Sequence, residues 1–518
     1  ATALLLGGCS LMPTYERPAA PVPATYGASA ADSAGAPASA PQTLAPPAWK
    51  DYFTDPRLQQ LIALALDNNR DLRMATLAIE QARAQWQIQR SAQWPQIGLG
   101  ANAARAPNSS GNLSNTYSVG GILSAWELDF FGRLGSLKEQ ALAQYLASEE
   151  GRNAAQTSLI AAVASAWLAL QADEEGLDIS RRTLATREES LALMKLRLDV
   201  GTASELDYRQ VQSLTEAARV TLAQQQRQRA LNENALALLL GQPLPPELRA
   251  SLPGSRLVEV PSMAALPAGL PSDLLAHRPD IRQAELQLKA ANANIGAARA
   301  AFFPRISLTA QAGTASSELS ELFKSGTWAF SPTLSALLPI FDAGRNQAGL
   351  DSARAGREIA VAQYDKAIQS AFREVADALA GRATLGEQVL AQQAQATAEA
   401  DRFRLADLRY RNGVASYLDV LDAQRALFAT QQALAQSQLA QRQNQVALYK
   451  ALGGGWEVSS TMPSAAHSPT GAAAPTPRAS RSGMPASAAA MEHLTSQSAE
   501  RETLTHLIIN RPTEGAKP

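Results

Sequence analysis

The chain reads VGTASELD at Val200–Asp207 and NGVASYLD at Asn412–Asp419, 212 positions later. The match continues at the same offset. Gln212 repeats as Gln424, Leu222-Ala223-Gln224 as Leu434-Ala435-Gln436, and Leu240-Gly241 as Leu452-Gly453. Upstream, Gly132-Arg133 recurs as Gly344-Arg345, each pair 69 positions before the Gly of its phrase. Further upstream the offset is 209, pairing Asp71-Leu72 with Asp280-Ile281 and Pro95 with Pro304. A long internal duplication with a few residues of slack sets the organisation of the chain. Two copies are too few for a solenoid and point to two similar halves about a pseudo-symmetry axis. The boundaries read as 51–260 and 261–456.

Composition narrows the class. Aromatic residues make up 5% of the 518 and the formal charge is −1, so no basic bias points to nucleic acid. Ala and Gln are abundant, and Ala, Leu, Gln, Glu and Arg are good helix formers. Of four His, three (His467, His493, His506) lie near the C-terminus, which leaves His277 alone in the body and reads as structural. No His/Cys cluster has metal-ligand spacing. No phosphate-binding loop or nucleophile motif appears, and the reading is not an enzyme. GLGANA at Gly98 falls in a strand-like stretch with no helix after it.

The single cysteine, Cys9, ends LLLGGCS, with Leu6 at −3 and Gly8 at −1. An apolar run, small residues and then Cys resemble a bacterial lipobox. The expectation is a signal-peptide remnant over 1–8 and lipidation (palmitate) at Cys9. Several acyl chains anchor stably where one does not. Ser10 rather than Asp at the next position permits outer-membrane sorting. Residues 9–50 read as a lipidated tether and 457–518 as a disordered tail, both rich in Pro, Ala and Ser.

Between them, helical and strand-like patterns alternate. From Leu134 to Asp199 there is no Pro, and Leu177, Leu184, Leu191, Met194 and Leu198 recur at helical spacing. Asn346 to Arg411 behaves the same way. Each stretch is about 66 residues, or about 100 Å of helix, which argues for coiled-coil packing. SLIAAVASAWLAL (Ser158–Leu170) is too short to span a bilayer as a helix and reads as a packing stripe.

The strand-like stretches fall near 95–130 and 304–341. RISLTAQA from Arg305 sets Ile306, Leu308, Ala310 and Ala312 against Ser307, Thr309 and Gln311. TWAFSPTLSALLPIF puts Trp328, Phe330, Leu334, Leu338 and Ile340 on one face. ILSAWELDF sets Ile122, Trp126, Leu128 and Phe130 against Glu127 and Asp129, and PQIGLGANA is the weakest of the four. Such alternation fits transmembrane β-strands and equally a half-buried soluble sheet. Four strands cannot close a barrel, and open edges cannot face lipid. A spanning sheet therefore needs several chains: two give 8 strands, three 12 and four 16. A lumen wide enough for a solute argues against 8.

WELDFFGRL, the VGTAS and NGVAS turns, YLDVLDAQ, the closing ALGGGW and the lipobox occur in an order that resembles the TolC/OprM outer-membrane factors, closest to the OprM-like lipoprotein branch. The resemblance covers residues 9–456. It implies a homotrimer: a 12-stranded β-barrel, four strands per chain, continued by a long α-helical coiled-coil tunnel across the periplasm. It implies the exit duct of a tripartite efflux pump, working with a periplasmic adaptor and an inner-membrane RND-type transporter. Solute passes through passively, with no cofactor.

By that resemblance the two phrases are helical-hairpin turns at the periplasmic tip. Val200, Gly201 and Thr202 match the adaptor-contacting motif. Asn412, Gly413 and Val414 form the second turn, with Asn for Val and Val for Thr or Ser. Asp207 and Tyr410 match positions that tie neighbouring tip helices together. The family's Arg near this turn corresponds to Ala415, which implies a weaker lock. In YLDVLDAQR, Asp419 and Asp422 share a helix face with Leu418 and Arg425 beside them. The resemblance places the aperture ring here. In a threefold tube six carboxylates would meet, which raises some pKa values and favours cations. A type I protein-secretion duct and a structural coiled-coil lipoprotein are the competing readings.

Overall fold

The computed structural model describes residues 10–23, 25–26, 47–107, 109, 111–266, 274–275 and 277–456. Cys9, the signal remnant and the tail 457–518 lie outside them. The elements are α1 (Trp49–Tyr52), α2 (Pro56–Asn68), α3 (Arg70–Ser91), β1 (Ile97–Pro107), β2 (Leu113–Leu128), α4 (Arg133–Asp199), α5 (Glu205–Leu240) and α6 (Pro246–Ala250). Then come α7 (Pro279–Ala300), β3 (Arg305–Ser316), β4 (Trp328–Leu337), α8 (Arg345–Arg411) and α9 (Tyr417–Ala451).

Five elements recur in the same order: α3, β1, β2, α4 and α5 in the first half as α7, β3, β4, α8 and α9 in the second. α4 and α8 are 67 residues each, about 100 Å at the helical rise. Both start behind a left-handed glycine, Gly132 and Gly344, the glycines of the repeated Gly-Arg pair. The repeated Leu-Gly pair also has a shared physical reason. Gly241 and Gly453 have φ of +69° and +83°. A Cβ at Gly241 would run into the Asn68 carbonyl, and one at Gly453 would lie 2.8 Å from the His277 carbonyl oxygen. Each glycine lets a helix end press against the chain entering the next helical layer. The His277 carbonyl also accepts a hydrogen bond from Trp456 Nε1 at 3.0 Å.

The core sits where the halves meet. Tyr52 stacks on Tyr449 with ring centroids 4.2 Å apart, and each hydroxyl donates to a backbone carbonyl, Gln445 and Pro47 respectively. Ile160, Val163, Trp167, Leu168 and Leu170 of α4 join this core. The most apolar stretch of the chain is thus buried inside it as a packing stripe.

The N-terminal tether is docked along part of its length. Arg299 donates to the Leu11 carbonyl at 3.2 Å and Asn292 to that of Pro13 at 2.8 Å. Arg17 pairs with Glu285 at 2.5 Å. The segment therefore runs antiparallel to α7, with residue 10 at the end of α7 that leads into β3. A Cβ at Gly296 would lie 2.9 Å from Met12 Cα, so the seat depends on that glycine.

The four strands form one antiparallel sheet in the order β1-β2-β3-β4. Cross-strand partners share a face, which assigns both faces. One carries Ile97, Leu99, Val119, Leu123, Trp126, Leu128, Leu308, Ala310, Ala312, Phe330 and Leu334. The other carries Asn102, Ser118, Glu127, Ser307, Thr309, Gln311, Ser331 and Thr333. The apolar face is open: Leu99 is 90% and Leu334 66% exposed. Both β1 and β4 are edge strands.

Two strand readings are corrected. The β2–β3 register shifts between Leu123 and Trp126, where Ala125 adopts φ +41° and its N–H donates to Thr309 Oγ1. The bulge inserts one residue and flips the alternation. Leu123, not Ile122, shares the face of Trp126 and Leu128, while Ile122 sits opposite Gln311. In addition, β2 ends at Leu128 and β4 at Leu337, so Phe130, Leu338 and Ile340 lie past the strands. Pro339 lacks the N–H needed to extend β4.

Below the strands, Phe131 stacks on Phe303 at 4.8 Å, with Trp94, Phe302 and Phe341 exposed nearby in the chain. Glu127 accepts from Arg133 of α4 at 2.6 Å and pairs with Arg305 of β3 at 2.7 Å. One carboxylate thus ties the foot of the sheet to the start of the long helix.

Gly120 and Gly313 face each other across β2 and β3. A Cβ on Gly120 would lie 2.7 Å from Gly313 Cα. Gly120→Ala is expected to cost about 3 kcal/mol through overpacking and to lower the yield of folded protein in outer-membrane fractions. Wild-type yield and thermal stability would contradict this close approach.

Candidate functional site

The two repeated phrases fold as turns that share three backbone bonds. In the first, the N–H groups of Val200, Gly201 and Thr202 donate to the carbonyls of Leu196, Leu198 and Arg197. In the second, Asn412, Gly413 and Val414 donate to Leu408, Tyr410 and Arg409. Gly201 and Gly413 have φ of +73° and +74°, the left-handed cap that closes a helix before a tight reversal. These three bonds are common to both turns, and two others are not: Thr202 Oγ1 donates to the Arg197 carbonyl at 3.1 Å, where Val414 has no hydroxyl, and the Ala203 N–H donates to the same carbonyl at 3.2 Å with no equivalent from Ala415 among the described residues. Val200 and Val414 are both exposed.

The repeated acid is used differently in the halves. Asp207 closes a capping box on α5: its N–H donates to Ser204 Oγ at 3.1 Å, and its Oδ2 accepts from that hydroxyl at 2.7 Å. Among the described residues it bonds nothing on another helix. Its counterpart Asp419 follows Ser416, which makes no side-chain cap on α9. Asp419 is exposed and forms no ion pair among the described residues. The duplication thus holds one carboxylate as a cap and releases the other.

Tyr410 has a partner that the sequence did not disclose. Arg197, near the end of α4, donates to the Tyr410 hydroxyl and lies over its ring, 5.1 Å from the centroid. Tyr410 also packs on Tyr417 at 4.8 Å. The link joins the α4–α5 hairpin to the α8–α9 hairpin. Arg197 thus brings a cation to Tyr410 from the other hairpin.

A groove of about 920 Å³ between α8 and α9 brings together Leu418, Asp419, Asp422 and Arg425 with Arg402 and Arg409. Asp422 accepts from Arg425 at 2.5 Å and from Arg402 of α8 at 2.6 Å. Arg402 was not singled out in the sequence, although it and Asp422 lie at similar distances on either side of Gly413, as facing residues of a hairpin must. Of the two carboxylates that each chain carries here, only one is free of an ion pair among the described residues. Asp422 is matched by two guanidinium groups, and Asp419 is left unpaired. Leu418 is 60% exposed.

A model of the family described as outer membrane efflux protein matches residues 61–242 and again 270–454. The chain belongs to that family. The two matched spans start 209 and end 212 positions apart, the same offsets as the internal duplication. The solvent efflux pump outer membrane protein SrpC of Pseudomonas putida is 47% identical over 465 residues, 88% of this chain and 97% of that protein. OprJ of Pseudomonas aeruginosa is 46% identical over 464 residues, 88% of this chain and 95% of that protein. Among solved structures, the open state of the Neisseria gonorrhoeae MtrE outer membrane channel is similar with a TM-score of 0.76 at 41% identity, covering 86% of this chain and 98% of that one. A membrane protein from Pseudomonas aeruginosa gives 0.77 at 43%, covering 86% and 98%.

This efflux protein is an outer-membrane channel, and its sheet has one exposed apolar and one polar face. The family's members are transport channels.

Hydrogen bonds from Arg425 and then Arg402 hold the Asp422 carboxyl below its ordinary value. A carboxyl lowered in this way adds stability above its unperturbed pKa of about 3.9. That stability is lost as pH falls through the lowered value. The latch is expected to persist at pH 5. Difference infrared titration of wild type against Asp422→Asn should give a midpoint below about 3.9. A midpoint near 5 would mean that carboxylate crowding outweighs the arginines.

Proposed function

We propose that three copies of the chain close one 12-stranded barrel, and that the long hairpins continue it as a tunnel which narrows at the α8–α9 groove. The observation that carries this reading is the sheet itself. Its apolar face is exposed, its polar face is suited to a water-filled lumen, and both its edges lack partners among the described residues. Edges in hydrocarbon need strands from other chains. Two chains would supply 8 strands, a barrel too narrow for a solute path.

The duct serves an efflux pump. A periplasmic adaptor docks on the turns at Val200-Gly201-Thr202 and Asn412-Gly413-Val414, and an RND-type transporter in the inner membrane supplies the energy. The backbone bonds that the two turns share support docking at both. Relatives named for solvent, toluene and antibiotic efflux support small, largely apolar solutes as cargo. These names favour efflux over protein secretion. The exposed apolar sheet favours a channel over a scaffold.

Leu418, Asp419, Asp422 and Arg425 form the constriction, with Arg402 as its latch across the hairpin. Arg197 and Tyr410 hold the two hairpins together at the tip. Asp207 acts as a helix cap rather than as a tie. Opening requires the α8–α9 hairpin to swing outward, breaking the Arg197–Tyr410 link.

Lipid on Cys9 anchors the chain at the foot of the barrel. Leu11 to Pro13 are seated beside the end of α7 that leads into β3, which supports an anchor at the inner leaflet. Radiolabelled palmitate should enter the wild type and not Cys9→Ser. Equal labelling of both would refute the anchor.

The experiment for the constriction is single-channel conductance in planar bilayers, wild type against Asp419→Ser/Asp422→Ser. Small cation-selective steps in the wild type that become severalfold larger and less selective in the variant are expected. Steps of unchanged size and selectivity would move the constriction elsewhere.

A further inference from the structure

Behind the constriction lies a buried cation that no carboxylate pairs among the described residues. Arg187 of α4 is only 4% exposed. Its Nη1 donates to the Leu214 carbonyl of α5 at 2.8 Å. Its guanidinium lies over the Phe428 ring of α9, 5.4 Å from the centroid. Its Nε has no partner among the described residues, and no carboxylate pairs with it there. Burial, and then the neighbouring Arg425, hold its ionisation below the ordinary value. Arginine nevertheless stays charged in proteins, so the strain falls on the packing around it.

The position matters. Arg187 stands on the seam between the α4–α5 hairpin and α9, and Phe428 is one turn from Arg425. The packing beside it is open. A cleft of about 160 Å³ is lined by Ile179, Thr183 and Thr186 of α4, Phe403 of α8, and Gln424 and Phe428 of α9. Toward the tip the seam is closed by Met194, Val211 and Leu421. An unpaired buried cation and a cleft thus coincide at one level, immediately behind the latch formed by Arg402, Asp422 and Arg425.

We infer that Arg187 is a positioning residue of the gate, which destabilises the resting contact between α4 and α9 and so keeps the α8–α9 hairpin poised to move. A buried unpaired charge is unfavourable, and replacing buried ionic groups by apolar ones often stabilises the packing around them. When α9 moves away, the guanidinium loses one aromatic face and gains water. The balance favours opening, against the Asp422 latch and the Arg197–Tyr410 link, which favour closure. Like charge also acts across α9: Arg187 repels Arg425 toward the groove, where Asp422 receives it.

This inference rests on the proposed gate. The test is single-channel recording of purified wild type, Arg187→Leu, Arg187→Lys and Phe428→Leu in planar bilayers. Arg187→Leu removes the charge and should lower the open probability about tenfold, the ratio given by about 1.4 kcal/mol of added closed-state stability. Arg187→Lys introduces an amine that can shed its proton when buried and should fall between wild type and Arg187→Leu. Phe428→Leu removes the aromatic face that offsets the charge and should raise the open probability.

Opposite signs for the leucine variants at 187 and 428 are the signature of a stored destabilisation. A higher open probability in both would make Arg187 an ordinary clamp and overturn the inference. If Arg187→Leu does not yield folded protein, an unchanged or lower open probability in Phe428→Leu overturns it equally. A wild type that conducts but is insensitive to Asp419→Ser/Asp422→Ser would refute the gate reading instead.

Discussion

A β-strand edge cannot be left bare in hydrocarbon, and this chain has two. Each unpaired N–H or C=O at membrane depth costs several kcal/mol. β1 and β4 together present a full row on either side of the sheet. The exposed apolar face sets the sheet in a bilayer, and the bare edges then require other copies. Assembly, lumen and tunnel follow from that constraint. With the sheet as part of a shared barrel, the helices attached to it must surround the same axis, and the α8–α9 groove becomes part of a closed wall.

Much of this could be read from residues. The long helices were bounded to within a residue, because each runs from a Gly-Arg pair to a Gly turn without Pro. The four strands were placed by alternation. The bulge at Ser124-Ala125 was not legible. ILSAWELDF alternates cleanly on paper, and the extra residue shows only when β2 is paired with β3. The docking of residues 10–18 was not legible either. A Pro-rich stretch reads as a tether, and the seat is made by Glu285, Asn292, Gly296 and Arg299, some 270–290 positions away.

The site divides in the same way. Asp422 and Arg425 are three apart on one helix and could be recognised together. Arg402 requires the hairpin to be folded about Gly413. Arg197 and Arg187 require two hairpins to be brought side by side, and single-sequence spacing carries no trace of that. The duplication also conceals a divergence. Asp207 and Asp419 are the same letter at the same offset, yet one caps a helix through Ser204 and the other is left to act in the groove. In the proposed gate the tip is a set of opposed contacts: Arg402–Asp422 and Arg197–Tyr410 favour closure, and buried Arg187 works against them.

The most direct test of the central claim counts chains. Native mass spectrometry of the purified protein released from detergent should show three chains of about 54.8 kDa, less any processed leader and plus any lipid. Three copies close the edges with 12 strands. A species of one, two or four chains as the only conducting form would contradict the account, because the edges would then be satisfied in some other way.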